Sequence, residues 1–140
     1  MRLWLDTEFN EFRGELISMA LVADDGREWY EALDCLNPGL WVQTHVLPVI
    51  GKSPLPNALC LSASLMLFLR QFECAHIVAD WPEDISHFCN ALIIGPGMRI
   101  DTPPLTFEVR RDLPNTADIS AIPHNALEDA RALMKAGTGQ

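Results

Sequence analysis

A chain of 140 residues with 49% apolar side chains is long enough for one hydrophobic core and too apolar to be disordered. Ten Lys and Arg against nineteen Asp and Glu leave a net charge of −9, which excludes a long basic groove for nucleic acid. The same charge does not exclude a cation-dependent enzyme, because bound divalent ions reverse the sign locally.

Met1 to Thr7 opens as a strand, with Leu3, Trp4 and Leu5 apolar in succession. No basic stretch followed by a long apolar one is found there, and no run suits a bilayer span, so one cytoplasmic domain over residues 1–140 and no membrane are expected. Glu15 to Ala23 alternates as a second strand, Asp24 to Gly26 is a turn, and Arg27 to Ala32 returns as a third. Pro38 and Gly39 break the chain before a short helix over Leu40 to Leu47, which Pro48 ends. Ser62 to Phe72 reads as a largely buried helix capped by its own serine.

His76 to Ala79 is a short strand that leads through Asp80 into a loop and a helix, and another short strand is expected at Met98 to Ile100. Residues 105–122 carry no consistent period. The last helix is best marked, with Asn125 as cap, Glu128 as its capping-box partner and Gly137 as the stop. A meander, then helix–strand–helix, then a final helix predicts an α/β domain with a mixed sheet.

Cys35, Cys60, Cys74 and Cys89 are scattered and read as reduced core residues. Cys74-x-His76 and His87-x-Cys89 loosely suggest a zinc quartet, but such short intervals are not those of structural zinc sites, and packing is the better reading.

Three places hold acids that folding alone does not require. Asp6 and Glu8 leave the first strand pointing the same way while Thr7 points the other, so each disfavours the other's ionisation. Asp80 and Asp84 follow the His76–Ala79 strand, and Asp129 lies in the first turns of a helix whose apolar stripe is Leu127, Ala130, Leu133 and Met134. Hard divalent cations take oxygen ligands, and two of them about 4 Å apart can clamp the attacking and leaving oxygens of a phosphodiester. Asp6 and Glu8, joined by one acid from each of two helices, supply such a site. His124, just before that last helix, is suited to accept a proton from the attacking water, because imidazole titrates near neutrality. Each residue also has a plainer reading: turn acid, first-turn acid on the helix dipole, or residue before a cap.

Taken together, "DTE" after a buried strand, a middle acid after a later strand, and "HNALEDA" at a C-terminal helix resemble the motifs of the DEDDh 3′–5′ exonucleases. The resemblance covers nearly the whole chain. "DTEF…ELISMALVADDGREWY" and "WVQTHVLP" are similar, more narrowly, to the small exoribonucleases of the RNase AS type, which act on adenylate-rich RNA 3′ ends. The resemblance implies a ribonuclease H-like fold, two Mg²⁺ or Mn²⁺ ions, Asp6, Glu8, Asp84 and Asp129 as ligands, and His124 as general base. Its expected substrate is a single-stranded RNA 3′ end cut to nucleoside 5′-monophosphates, and a homodimer follows from the likeness alone. The middle motif departs from the family pattern: Asp80 stands where an Asn is usual and Glu83 where an aromatic is. That departure leaves two readings of the middle ligand, Asp84 as the expected one and Asp80 as the alternative.

Substrate contacts are expected from Thr7, Phe9, Trp41, His45 and Trp81. Phe9 or the Thr7–Phe9 backbone would support the terminal base or ribose, and Phe9 equally suits a core position. Trp41, Thr44 and His45 either line the pocket or, in the case of Trp41, pack; Trp81 either stacks on a base or anchors the fold. Two other functions stay open: a DNA 3′–5′ exonuclease with the same site, and an inactive adaptor. The adaptor reading is disfavoured because all five motif positions are filled.

Overall fold

The computed structural model describes residues 1–140. Its centre is a five-stranded sheet of order β3-β2-β1-β4-β7, with β1 at Arg2–Phe9, β2 at Leu16–Ala23, β3 at Glu28–Ala32, β4 at Ala75–Ala79 and β7 at Leu105–Val109. The first three strands form the expected antiparallel meander, while β4 runs parallel to both β1 and β7. Helix α2 (Ala58–Leu69) and helix α3 (Pro82–Leu92) cover one face, and helix α5 (Ala126–Thr138) covers the other. This is the mixed α/β sheet the sequence predicts, consistent with a ribonuclease H-like fold. The remaining elements are helix α1 (Leu40–His45), a single 3₁₀ turn at Leu47–Val49, the short hairpin β5 (Ile93–Gly95) and β6 (Met98–Arg99), and helix α4 (Thr116–Ile119). No helix is long and apolar enough to cross a membrane.

Strand alternation divides the core in two. Leu3 and Leu5 of β1 and Met19 and Leu21 of β2 face Leu61, Leu65, Leu69 and Phe88. Trp4 packs with Val78 and Leu133, and Ala20 and Val22 meet Ala126 and Ala130, where small side chains let α5 lie close to the sheet. Between Glu8 and Phe9 the register with β2 skips Ile17, a bulge that turns Ile17 toward Val42 of α1 and Val46 just past its end. That contact is what holds α1 over the end of β1.

Several boundaries differ from expectation for identifiable reasons. Helix α2 starts at Ala58, where the Asn57 side chain accepts from the Cys60 N–H, so Ser62 is not its cap. The Ser62 hydroxyl instead donates to the Ala91 carbonyl at 2.6 Å, tying α2 to α3. Helix α1 stops at His45, and Pro48 sits in the 3₁₀ turn that follows. Asn125 caps α5 by accepting from the Glu128 N–H, but the Glu128 carboxylate goes to Arg131 rather than completing a capping box. The four thiols are free; Cys74 is exposed and the other three are half-buried, so none is a core residue.

Gly137 does not end α5. The helix runs to Thr138, and Gly139 at φ 76° is the left-handed cap. Gly137 is glycine because a Cβ there would lie 1.9 Å from Trp4 Cη2. Trp4 has no room to retreat: it is fully buried, and its Nε1–H donates to Asp24 at 2.7 Å. Gly137→Ala should therefore lower stability by about 1–2 kcal/mol, because overpacking against a rigid indole outweighs the alanine's gain in helix propensity. A urea midpoint that drops without a change in slope is the expected result; an unchanged or higher midpoint would mean α5 shifts freely.

Candidate active site

Strand β1 outruns its parallel neighbour. Its pairing with β4 is last seen at Trp4↔Val78, while its pairing with β2 continues to Phe9↔Leu16. Asp6 and Glu8 thus emerge at the carboxyl end of the sheet, beside the point where the chain leaves β4 through Asp80. Open α/β sheets bind ligands in that crevice.

Helices from both faces bring further acids to the same place. Helix α3 begins at Pro82, whose fixed φ suits a first helical position, and Asp84 lies in its first turn, where the dipole favours negative charge. Asp84 is buried and its Oδ1 accepts from the Thr7 hydroxyl at 2.6 Å. Asp129 likewise lies in the first turn of α5, and its Oδ2 accepts from the His124 N–H at 3.2 Å. The ligand oxygens of Asp6, Asp80 and Asp84 lie within 4.8 Å of one another, and those of Asp6, Glu8 and Asp129 do likewise. Asp6 belongs to both groups. Asp6 Oδ2 and Asp129 Oδ1 are buried without any hydrogen-bond partner. An orphaned buried carboxylate oxygen is costly, and a divalent cation is the partner that this all-oxygen donor set fits. Cys74, His76, His87 and Cys89 form no such group; His76 instead contacts Thr106 and Glu108 on β7.

Burial raises every carboxyl in the cluster, and repulsion from neighbouring acids adds to it at Asp6, Glu8, Asp84 and Asp129. Asp6 is held well above the usual range by burial first and then by Asp84, Glu8, Asp129 and Asp80. Burial pushes Glu8 up to about 9, helped by Asp129 and Asp84. Burial takes Asp84 to about 8 against the opposing Thr7 hydrogen bond. Asp80 and Asp129 are also raised by burial, Asp80 against a main-chain hydrogen bond of its own and then Arg111, and Asp129 against the His124 N–H. Without a cation these groups cannot all ionise at neutral pH; with one, both the burial cost and the repulsion are offset.

The remaining candidates divide by location. Thr7, Phe9, Trp41, Asp80, Trp81 and Asp84 line a cleft of about 310 Å³ together with Asp6 and Glu8. The hydroxyl of Thr7 is committed to Asp84. Phe9 rests its ring on His87 at 4.8 Å. Trp41 is 49% exposed and Trp81 47%, so both present aromatic surface to solvent. His124, held at φ 72°, meets Trp41 edge-on at 4.8 Å, and His45 stands 6.0 Å from it. His45 also lies 4.8 Å from Trp41, so α1 brings two rings to the histidine. The Thr44 hydroxyl turns back to the Leu40 carbonyl within its own helix.

A larger cavity of about 980 Å³ lies behind α3, lined in part by Leu16, Leu55, Leu61 and Ile94, and contains none of the clustered acids. Residues at the acidic cleft that carry no sequence signal are Glu11, Phe12, Thr116 and Arg111. The first three line it, and Arg111 donates to the Asp80 main-chain oxygen at 3.2 Å while lying 5.3 Å over the Trp81 ring.

No model of a known protein family matches the chain. Two relatives, 3′–5′ exoribonucleases of Mycobacterium tuberculosis from strains CDC 1551 / Oshkosh and ATCC 25618 / H37Rv, are each 33% identical to it over 154 residues. The alignments cover 96% of this chain and 90% of each relative.

Each raised carboxyl binds its proton more tightly folded than unfolded, so the stability it contributes is complete below the ordinary carboxylate range of about 4 and is lost as pH rises toward the folded value. For Asp84 and Glu8 that loss runs up through about 8 and about 9. Chelator-treated protein should therefore melt at progressively lower temperature from about pH 5 to about pH 9. Added Mn²⁺ should restore most at the alkaline end, and Glu8→Gln should flatten the profile. Melting temperatures that rise across this window would contradict the cluster's electrostatics.

Proposed function

The chain belongs to the family of these 3′–5′ exoribonucleases, and from that premise we propose that it releases nucleoside 5′-monophosphates one at a time from the 3′ end of single-stranded RNA. The observation that carries this reading is the meeting of two acid triples at Asp6, with buried oxygens of Asp6 and Asp129 lacking partners. Asp6, Glu8 and Asp129 would hold one Mg²⁺ or Mn²⁺, and Asp6 with Asp84 a second. When bound, such ions supply Lewis-acid stabilisation to both the attacking and the leaving oxygen of a phosphodiester.

The chain's own side chains do the rest. His124 accepts the proton of the attacking water as general base. Its main chain is fixed by donation to Asp129, and its ring is oriented by the edge contact with Trp41. Thr7 holds the Asp84 carboxylate toward the cleft. Phe9, Trp41 and Trp81 offer rings on which bases stack, a grip that tolerates sequence and needs no positive charge. Both faces of the sheet and the meander contribute to this one site, so we treat residues 1–140 as a single catalytic domain.

Purified protein should shorten 5′-labelled single-stranded RNA as a stepwise ladder with Mg²⁺ or Mn²⁺, and EDTA should abolish it. Asp6→Asn should leave no detectable ladder while keeping the wild-type circular dichroism. His124→Ala should slow cleavage by about 10²- to 10⁴-fold, the usual contribution of general acid–base catalysis. A stronger ladder on matched DNA would move the substrate class, and an active Asp6→Asn would overturn the site.

A further inference from the structure

We propose that Asp80 is a fifth carboxylate ligand, acting alongside Asp84 rather than in its place, so that the second cation site is complete before any substrate arrives. This rests on the two-ion reading above and goes beyond it in one respect. With Asp6 and Asp84 alone, the second ion would depend on the substrate phosphate for much of its compensating negative charge. Asp80 supplies a third carboxylate.

Geometry is the first support. Asp80 follows β4 directly and Asp84 follows the start of α3, so the two approach Asp6 from different elements, yet one oxygen from each lies within 4.8 Å of the other two. Asp6, the shared member, is 7% exposed, and its Oδ2 has no hydrogen-bond partner. A buried, unpartnered oxygen within this acid group is one that a shared cation would satisfy.

Charge is the second support. Five carboxylates exceed the charge of two divalent ions by one. Arg111 supplies the compensating cation without occupying the site: its Nη1 donates to the main-chain oxygen of Asp80 at 3.2 Å, and its guanidinium lies 5.3 Å over the Trp81 ring. The Asp80 carboxylate stays free to face Asp6 and Asp84.

The consequence is a cation stoichiometry independent of RNA. Metal-stripped protein titrated with Mn²⁺ in the absence of RNA, followed by calorimetry and by electron paramagnetic resonance of free Mn²⁺, should bind two ions per chain. Asp80→Asn should keep one ion at wild-type affinity and weaken the other by at least about 100-fold, since losing a direct ligand costs more than the roughly 10- to 100-fold typical of groups that only orient one. Asp129→Asn should weaken the opposite ion. Asp80→Ser provides the same test should the asparagine variant not fold, with circular dichroism deciding which is used. Two ions bound at wild-type affinity in the Asp80 variant, or one ion only in the wild type, would overturn the inference. The RNA ladder of the wild type, run in parallel, separates the two readings. A wild type that cuts RNA while its Asp80 variant titrates unchanged sinks this inference alone. A wild type that binds Mn²⁺ but cuts nothing sinks the proposed function, and the isotherms still decide Asp80.

Discussion

Like charge crowded into a poorly solvated crevice is the constraint around which this molecule is arranged. Asp6, Asp84 and Asp129 are buried acids, and Glu8 and Asp80 stand beside them. Left alone, such a group would push its strand and helices apart. The opposing forces are all close by. Leu3, Trp4 and Leu5, each fully buried, fix the preceding turn of β1 in both halves of the core. The Thr7 hydroxyl and the His124 N–H each neutralise part of one carboxylate, and the first turns of α3 and α5 direct their dipoles at Asp84 and Asp129. The remainder of the repulsion is what the proposed cations would remove.

The same constraint explains why the sheet has helices on both sides. One strand can present Asp6 and Glu8 only to one face, and α5 on that face delivers Asp129. Asp84 comes from α3 on the other face and reaches the cluster around the end of β1, where Thr7 points toward it. Pairing between β1 and β4 must end early for this to happen, since a longer β4 would fill the crevice. The bulge at Ile17 adds the last piece, because it turns a core side chain toward α1 and so sets Trp41 and His45 against His124.

What the sequence discloses follows from where each residue breaks a pattern. Acids ending an apolar strand, as Asp6 and Glu8 do, are conspicuous, as is Asp129 beside a well-formed apolar stripe. The meander is legible because its turn and alternation agree. Strand β7 is not, because its side chains are mostly exposed and main-chain pairing with β4, which leaves no mark in composition, defines it. Gly137 and Gly139 look alike in sequence, and only the approach of Trp4 to one and the left-handed backbone of the other separate their roles. Arg111 is invisible for a similar reason: what it grips is the backbone oxygen of Asp80, and any residue at position 80 would offer that oxygen.

Net charge is a poor guide to the ligand in such a design. At −9 the chain repels polyanions at long range, and screening in ordinary salt confines that repulsion to roughly one Debye length, about 8–10 Å. Inside that distance the local parts decide. Trp41 and Trp81 offer stacking faces whose attraction for a base does not depend on charge, and Arg111 sets one guanidinium against Trp81. In the proposed reading the deep acids, unfavourable alone, would hold divalent charge where a phosphate would sit. For the proposed RNA substrate the acidic surface then limits binding to what reaches the cleft, a strand end, and leaves no continuous basic track along which a longer chain could bind elsewhere.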